Sequence, residues 1–376
     1  MKKRGFRGAF FALFMIFSLV LPHGVRAMAH EAGGATRVAF SEVKCDVTLP
    51  GAAEDVRVST RLGELLFGKR GKESGERLLC PGGTVFGVKI KGRYVTVVES
   101  KGIPALRSGD VILSVAGREV HSVGDVKSAL RASGGESVTL RVSHCGTEIG
   151  IEVRPYLEDG EYRLGISLRD GAAGIGTVTF VDPDTGLFGG LGHGICDSES
   201  GEIIEMESGV MTGVVLGGIH RGEAGKPGEL CGVLTDTVIG KITANNECGV
   251  FGAVDPATVA STEAIPMGTR EDIRCGEATI YSTVKGGKRC EYKIEITEID
   301  RGSQGSKSFK IKVTDPTLLA ISGGIVRGMS GSPIIQDGKL VGAVTHVLVA
   351  DPTEGYGIFI ENMLSAAENQ VQPKAA

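Results

Sequence analysis

Between Thr84 and Val153 the apolar positions fall into short runs broken by glycine and polar residues. Val85-Phe86-Gly87-Val88-Lys89-Ile90 and Tyr94-Val95-Thr96-Val97-Val98 are rich in β-branched residues, which predicts two strands joined by a short turn. The period changes once in this region. From Ser122 to Ala132, Val123, Val126, Ala129 and Leu130 recur at helical spacing on one face. Ser122 is placed to cap that helix, with Asp125 in its first turn. Two further strands are predicted over Ser137–Val142 and Glu148–Val153.

Beyond Arg154-Pro155 the chain shows short apolar stretches punctuated by glycine, and no long helical pattern until Ile360–Glu368. That is the pattern of an all-β barrel or sandwich over residues 160–368, followed by a polar tail, 369–376. The 58 glycines, without a collagen period, add many tight turns between short strands. A chain of 376 residues exceeds one ordinary core, so two domains are expected. Residues 30–83 read as a spacer, with a strand or two around Val56–Phe67.

The first 29 residues read as a targeting segment. Lys2, Lys3, Arg4 and Arg7 precede an apolar run, Ala9–Leu21, and an Ala27-Met28-Ala29 triplet. This is the layout of a secretory signal, and a retained anchor is the alternative; both place the remainder outside the cytoplasm. A net charge of −4 provides no basic field for nucleic acid. The eight cysteines are compatible with an oxidising compartment, and Cys231–Cys248 and Cys275–Cys290 are the local pairs to consider. No C-x-x-C is present, so neither a metal nor another cofactor is expected.

The chemistry concentrates in Gly328-Met329-Ser330-Gly331-Ser332-Pro333, followed by a hairpin with Asp337-Gly338 at its tip. Acyl transfer needs an exposed hydroxyl beside backbone N–H groups aimed at the developing oxyanion, and a small-residue turn supplies both. The turn resembles the G-D-S-G-[GS]-P nucleophile turn of chymotrypsin-like peptidases. That likeness makes Ser330 the nucleophile and the amides of Gly328 and Ser330 the oxyanion hole. Met329 stands where those zymogens carry an acidic residue, so activation by that ion pair is excluded. Of the seven histidines, His193 in Leu191-Gly192-His193-Gly194 is the candidate base: glycines flank it, and it precedes the serine. His346 reads as a core or supporting residue and His220 as an exposed loop residue. Cys196 lacks a neighbouring cation or helix start that would activate it as a thiol nucleophile.

The stretch Gly102–Gly117, ending in Ser-Gly-Asp-Val-Ile-Leu-Ser-Val-Ala-Gly, together with the elements around it, resembles a PDZ domain over residues 84–158. That resemblance implies a groove for a peptide or protein C-terminus, with its carboxylate-binding loop near Val85, Phe86 and Gly87. Gly174–Pro183, the His193 motif, Gly328–Val347 and Asp351–Gly357 together resemble the sporulation stage IV B serine peptidases of endospore-forming bacteria. The family implies a mainly β chain, a PDZ domain followed by a chymotrypsin-like double β-barrel, and a protein substrate at a membrane surface. It also implies an acid shortly before the serine, which is Asp315. General chymotrypsin topology offers Asp236 and Asp255 instead, and for each of the three an ordinary N-cap or turn role is the alternative.

Overall fold

Two strands of 16 residues each organise the chain. In the computed structural model residues 77–255 and 263–371 are described, and the leader and most of the spacer lie outside them. The described chain opens with β1 (Leu78–Pro81) and β2 (Val85–Ser100). Next come β3 (Val111–Val115), β4 (Arg118–Glu119), α1 (Val123–Ala132), β5 (Val138–His144), β6 (Thr147–Val153), β7 (Tyr156–Glu158) and β8 (Glu161–Arg163). The second long strand, β9 (Ile166–Val181), leads to β10 (Leu187–Gly190), β11 (Met206–His220), β12 (Glu229–Asn246) and β13 (Gly249–Val254). The remainder is β14 (Ile265–Pro266), β15 (Gly276–Lys285), β16 (Lys288–Ile299), β17 (Phe309–Val313), α2 (Pro316–Ser322), β18 (Pro333–Gln336), β19 (Lys339–Leu348), β20 (Asp351–Phe359) and α3 (Ile360–Val371).

These strands form two closed barrels. β2 pairs β9, β9 pairs β10, and the ring runs through β13, β12 and β11 back to β2. Its interior holds Phe86, Val88, Val178, Phe188, Met211 and Val250. The second ring is β15-β16-β17-β20-β19-β18, closed between β15 and β18, around Ile280, Ile294, Phe309, Val341 and Val344. α3 and residues of both rings, among them Phe180, Phe251, Leu340 and Met363, share a further apolar cluster. Closure removes the open sheet edges that invite aggregation.

The PDZ-like unit does not precede the first barrel; it grows out of it. The first half of β2 pairs with β11 (Gly87↔Thr212) and with the second half of β9 (Val85↔Thr177). Its second half pairs with β3 (Val95↔Ile112) and with the start of β9 (Ser100↔Ile166). The short turn expected between Ile90 and Tyr94 is therefore a register shift inside one continuous strand. α1 forms as its periodicity predicts, with the Ser122 side chain accepting from Asp125 N and Val126, Ala129 and Leu130 buried. These three belong to a separate core with Val95, Ile112, Leu140 and Val142. Among the described residues no helix is long and apolar enough to cross a membrane.

Candidate active site

The turn bearing Ser330 is held from two sides. Met329, next to the serine, is wholly buried in the second-barrel core, so the position that carries a charge in zymogens is here an apolar anchor. From the first barrel, β9 grips the turn at three points. Thr177 Oγ1 donates to Gly328 O (2.7 Å), Thr177 N to Ser330 O (2.9 Å), and Thr179 Oγ1 to Gly331 O (2.8 Å). Among the described residues the amides of Gly328 and Ser330 have no acceptor, which leaves them available to a developing oxyanion.

The same strand places the histidine. β10 ends at Gly190, and Leu191 follows in the left-handed region (φ 64°), its N–H donating to Thr177 O at 3.2 Å. Left-handed non-glycine residues are strained and collect at functional sites. His193 Nδ1 lies 2.9 Å from Gly194 O. A carbonyl only accepts, so Nδ1 carries the proton and Nε2 keeps the lone pair, the tautomer a general base requires. Burial holds the His193 imidazole below its ordinary range, and the Gly194 carbonyl opposes this more weakly.

Residues 345 and 346 link the two turns. Ser330 Oγ donates to Thr345 O at 2.7 Å, so the hydroxyl rests on a backbone acceptor. His346 lies against His193, ring centroids 4.8 Å apart and planes tilted by 39°. Burial first, then the His193 and Lys307 charges, push the His346 imidazole down to about 4, so it is neutral near pH 7. Its Nδ1 is buried without a hydrogen-bond partner among the described residues. Beside the two histidines opens a cavity of about 390 Å³, walled mainly by small and apolar residues including Val88, Ala173, Ile175, Leu191 and Ile195.

None of the three candidate acids is brought to His193. Asp315 caps α2: Oδ1 accepts from Thr317 N (2.8 Å) and Leu318 N (3.0 Å), and Oδ2 from Lys293 N (3.3 Å). Asp236 is fully exposed on β12, 3.7 Å from Lys89, and Asp255 is exposed just beyond β13. In place of a carboxylate the structure sets His346 beside His193 and gives the His193 Nδ1–H to the Gly194 carbonyl. His346 reads from the sequence as a core or supporting residue, but nothing local shows that His193 is the residue it lies against. The seven described cysteines are free, so neither Cys231–Cys248 nor Cys275–Cys290 is bridged; Cys248 Sγ lies near Gln304 O and Cys275 Sγ near Thr297 O.

The expected peptide-binding loop is also displaced. Val85 and Phe86 are buried, and Gly87 is paired on both sides, with Ile175 and Thr212. A strand with both edges occupied cannot accept a peptide as a further strand. An edge that the named pairings leave open is the start of β9, Ile166–Arg169, which pairs only with β2 there. The Asp170 carboxylate ties it to α1 by accepting from Val123 N at 2.8 Å. The triplet Leu164-Gly165-Ile166 leading into that edge is the sequence signal that was missed.

Two closed six-stranded β-barrels, with a serine turn on one and a histidine turn on the other, define the architecture of a chymotrypsin-like peptidase. The chain belongs to the SpoIVB peptidase S55 family, whose model matches residues 160–364. A PDZ domain model matches residues 95–143. No curated protein matches the chain. Among solved structures it is similar to the HtrA-type protease AlgW with tripeptide, at 13% identity and TM-score 0.33, over 53% of this chain and 56% of that one. It is also similar to the Rv3671c protease from M. tuberculosis in its active form, at 11% identity and TM-score 0.33, over 54% and 78% of the two chains. The chain thus spans little more than half the length of the AlgW structure.

Proposed function

We propose that this chain is an exported serine endopeptidase with Ser330 as nucleophile and His193 as general base. The observation that carries the reading is the clamp. Thr177 bonds to Gly328 and Ser330 on one side and to Leu191 on the other, so one strand residue fixes both catalytic turns. In the reaction Ser330 Oγ attacks the scissile carbonyl while His193 Nε2 takes its proton. The amides of Gly328 and Ser330 receive the oxyanion. Collapse transfers the His193 proton to the leaving amine and leaves an acyl ester on Ser330. Water then attacks that ester, with His193 acting first as base and then as acid.

The family membership supports a narrower role: self-processing, and cleavage of a membrane-associated regulatory protein in sporulation signalling. That cut would activate an intramembrane protease and late mother-cell transcription, in the space between forespore and mother cell. The PDZ unit would take a peptide or protein C-terminus along Ile166–Arg169. The test is labelling of the purified protein by a fluorophosphonate probe beside Ser330→Ala and His193→Ala. Labelling and self-cleavage lost in both variants is the expected result. A folded wild type that never labels would leave a non-catalytic PDZ adaptor, and casein degradation would point to a general quality-control protease.

A further inference from the structure

Away from Ser330, the β11–β12 ribbon gathers three metal-ligating side chains that the peptidase chemistry does not use. His220 and Glu229 are direct cross-strand partners at the end of the ribbon. Cys231 lies two residues along β12 from Glu229, hence on the same face. Its cross-strand partner is Gly218, which has no side chain to cover it. A register shift between Leu216 and Gly218 introduces Gly217 as an extra residue here, a device that re-aims neighbouring side chains. His220 Nδ1 is 3.0 Å from Glu229 Oε1, and the ligand atoms of all three residues lie within 4.8 Å of one another.

We propose that His220, Glu229 and Cys231 form a divalent-metal site, with zinc the cation that suits this mixed nitrogen, oxygen and sulfur set. Zinc binds these donors at about 2.0–2.3 Å in tetrahedral geometry, so paired ligand atoms sit roughly 3.3–3.7 Å apart. The His220–Glu229 separation is already close to that. Cys231 Sγ, within 4.8 Å of the other two ligand atoms, would have to close on them, and water would supply the fourth position. A bare, exposed His220–Glu229 contact contributes little, and the thiol beside it has only a long contact to Glu229 O, at 3.9 Å.

The placement gives the site a consequence. Leu230, between the two β12 ligands, points to the opposite face. Its N–H donates to Arg327 O at 2.9 Å, and its side chain packs on Gly328. A metal bridging the ribbon would stiffen the strand against which the oxyanion turn rests. The site itself does not depend on the peptidase reading.

The experiment is titration of the purified full chain with Co²⁺, following the thiolate-to-cobalt charge-transfer band, beside Cys231→Ser, His220→Gln and Glu229→Gln. Saturation at one equivalent, reversal by Zn²⁺ and loss of the band in Cys231→Ser are expected. Losing a partner one shell outside a metal already weakens binding by about 10–100-fold, so His220→Gln and Glu229→Gln should weaken it at least about 100-fold. Zn²⁺ should also raise the melting temperature of the wild type more than that of any variant. Absence of a thiolate band in the wild type, or a band unchanged in Cys231→Ser, would overturn the proposal. His220→Gln and Glu229→Gln alter exposed side chains, so unchanged cobalt affinity in both refutes it even if Cys231→Ser misfolds.

Discussion

Gly331→Ala probes the clamp between the Ser330 and His193 turns. Gly331 has φ +95°, and a Cβ built there would lie 2.0 Å from Thr177 O and 2.5 Å from Leu191 N. Both obstacles are backbone atoms, so no side chain can swing aside, and relief requires the serine turn and β9 to separate by about an ångström. A non-glycine residue in this region costs about 1–2 kcal/mol. Separation would further weaken the Thr177 N–Ser330 O, Thr179 Oγ1–Gly331 O and Leu191 N–Thr177 O bonds, each contributing about 1 kcal/mol. The expected loss is about 3–5 kcal/mol of folding stability. Gly338→Ala is the matched control: φ is +75° at the hairpin tip, but a Cβ there meets nothing within 4 Å, so only the conformational cost applies. Urea unfolding gives the stabilities, and fluorophosphonate labelling of the folded fraction gives the reactivity. Labelling of Gly331→Ala should fall at least about 100-fold, since a 1 Å misplacement costs about that much. The reasoning fails if Gly331→Ala matches Gly338→Ala in stability and labels like the wild type.

Thr177→Val removes the donor to the buried Gly328 carbonyl; we expect a loss of about 1–3 kcal/mol by urea unfolding and slower labelling of the folded protein. Asp315→Ala should cost about 1 kcal/mol through the lost helix cap. Asp315→Asn should stay within about tenfold of the wild-type kcat, whereas a true triad acid would show a drop of about 10⁴-fold. Protonation of His193 removes the base, and its pKa is depressed by burial, so kcat/KM should rise with pH through a midpoint below the ordinary 6.5. A pH–rate profile with that limb above 6.5 would contradict the assigned burial. His346 is depressed to about 4, so the unfolded chain binds its proton first as pH falls. Stability should therefore decline on acidification from about 6.5 towards 4, and His346→Gln should reduce that decline in urea midpoints measured across the range.

The parts of the site legible in the sequence are those whose geometry is local. Gly328–Pro333 specifies its own turn, Asp337-Gly338 its own hairpin, and Ser122 with Val126, Ala129 and Leu130 its own helix. Val-Thr-Asp315-Pro was equally local, because an Asp ahead of a Pro at the first helical position is a cap signature. Of the two roles weighed for Asp315, triad acid and helix cap, the cap is the one its contacts show. What the sequence does not carry is partnership between strands. Alternation within Val85–Val98 shows which residues are buried but not whether their neighbours are β11, β3 or both halves of β9. The shared strands follow from this limit, and so does the misplaced peptide loop: Val85-Phe86-Gly87 is β-rich because it is a barrel stave paired on both edges. One strand, β9, then offers an edge at Ile166–Arg169 that the named pairings leave open, lines the cavity at Ala172–Ile175 and holds the Ser330 and His193 turns through Thr177 and Thr179. A ligand ordering its first half would act on the same strand that grips the Ser330 turn, so a coupling of the PDZ unit to that turn would require no interface beyond β9.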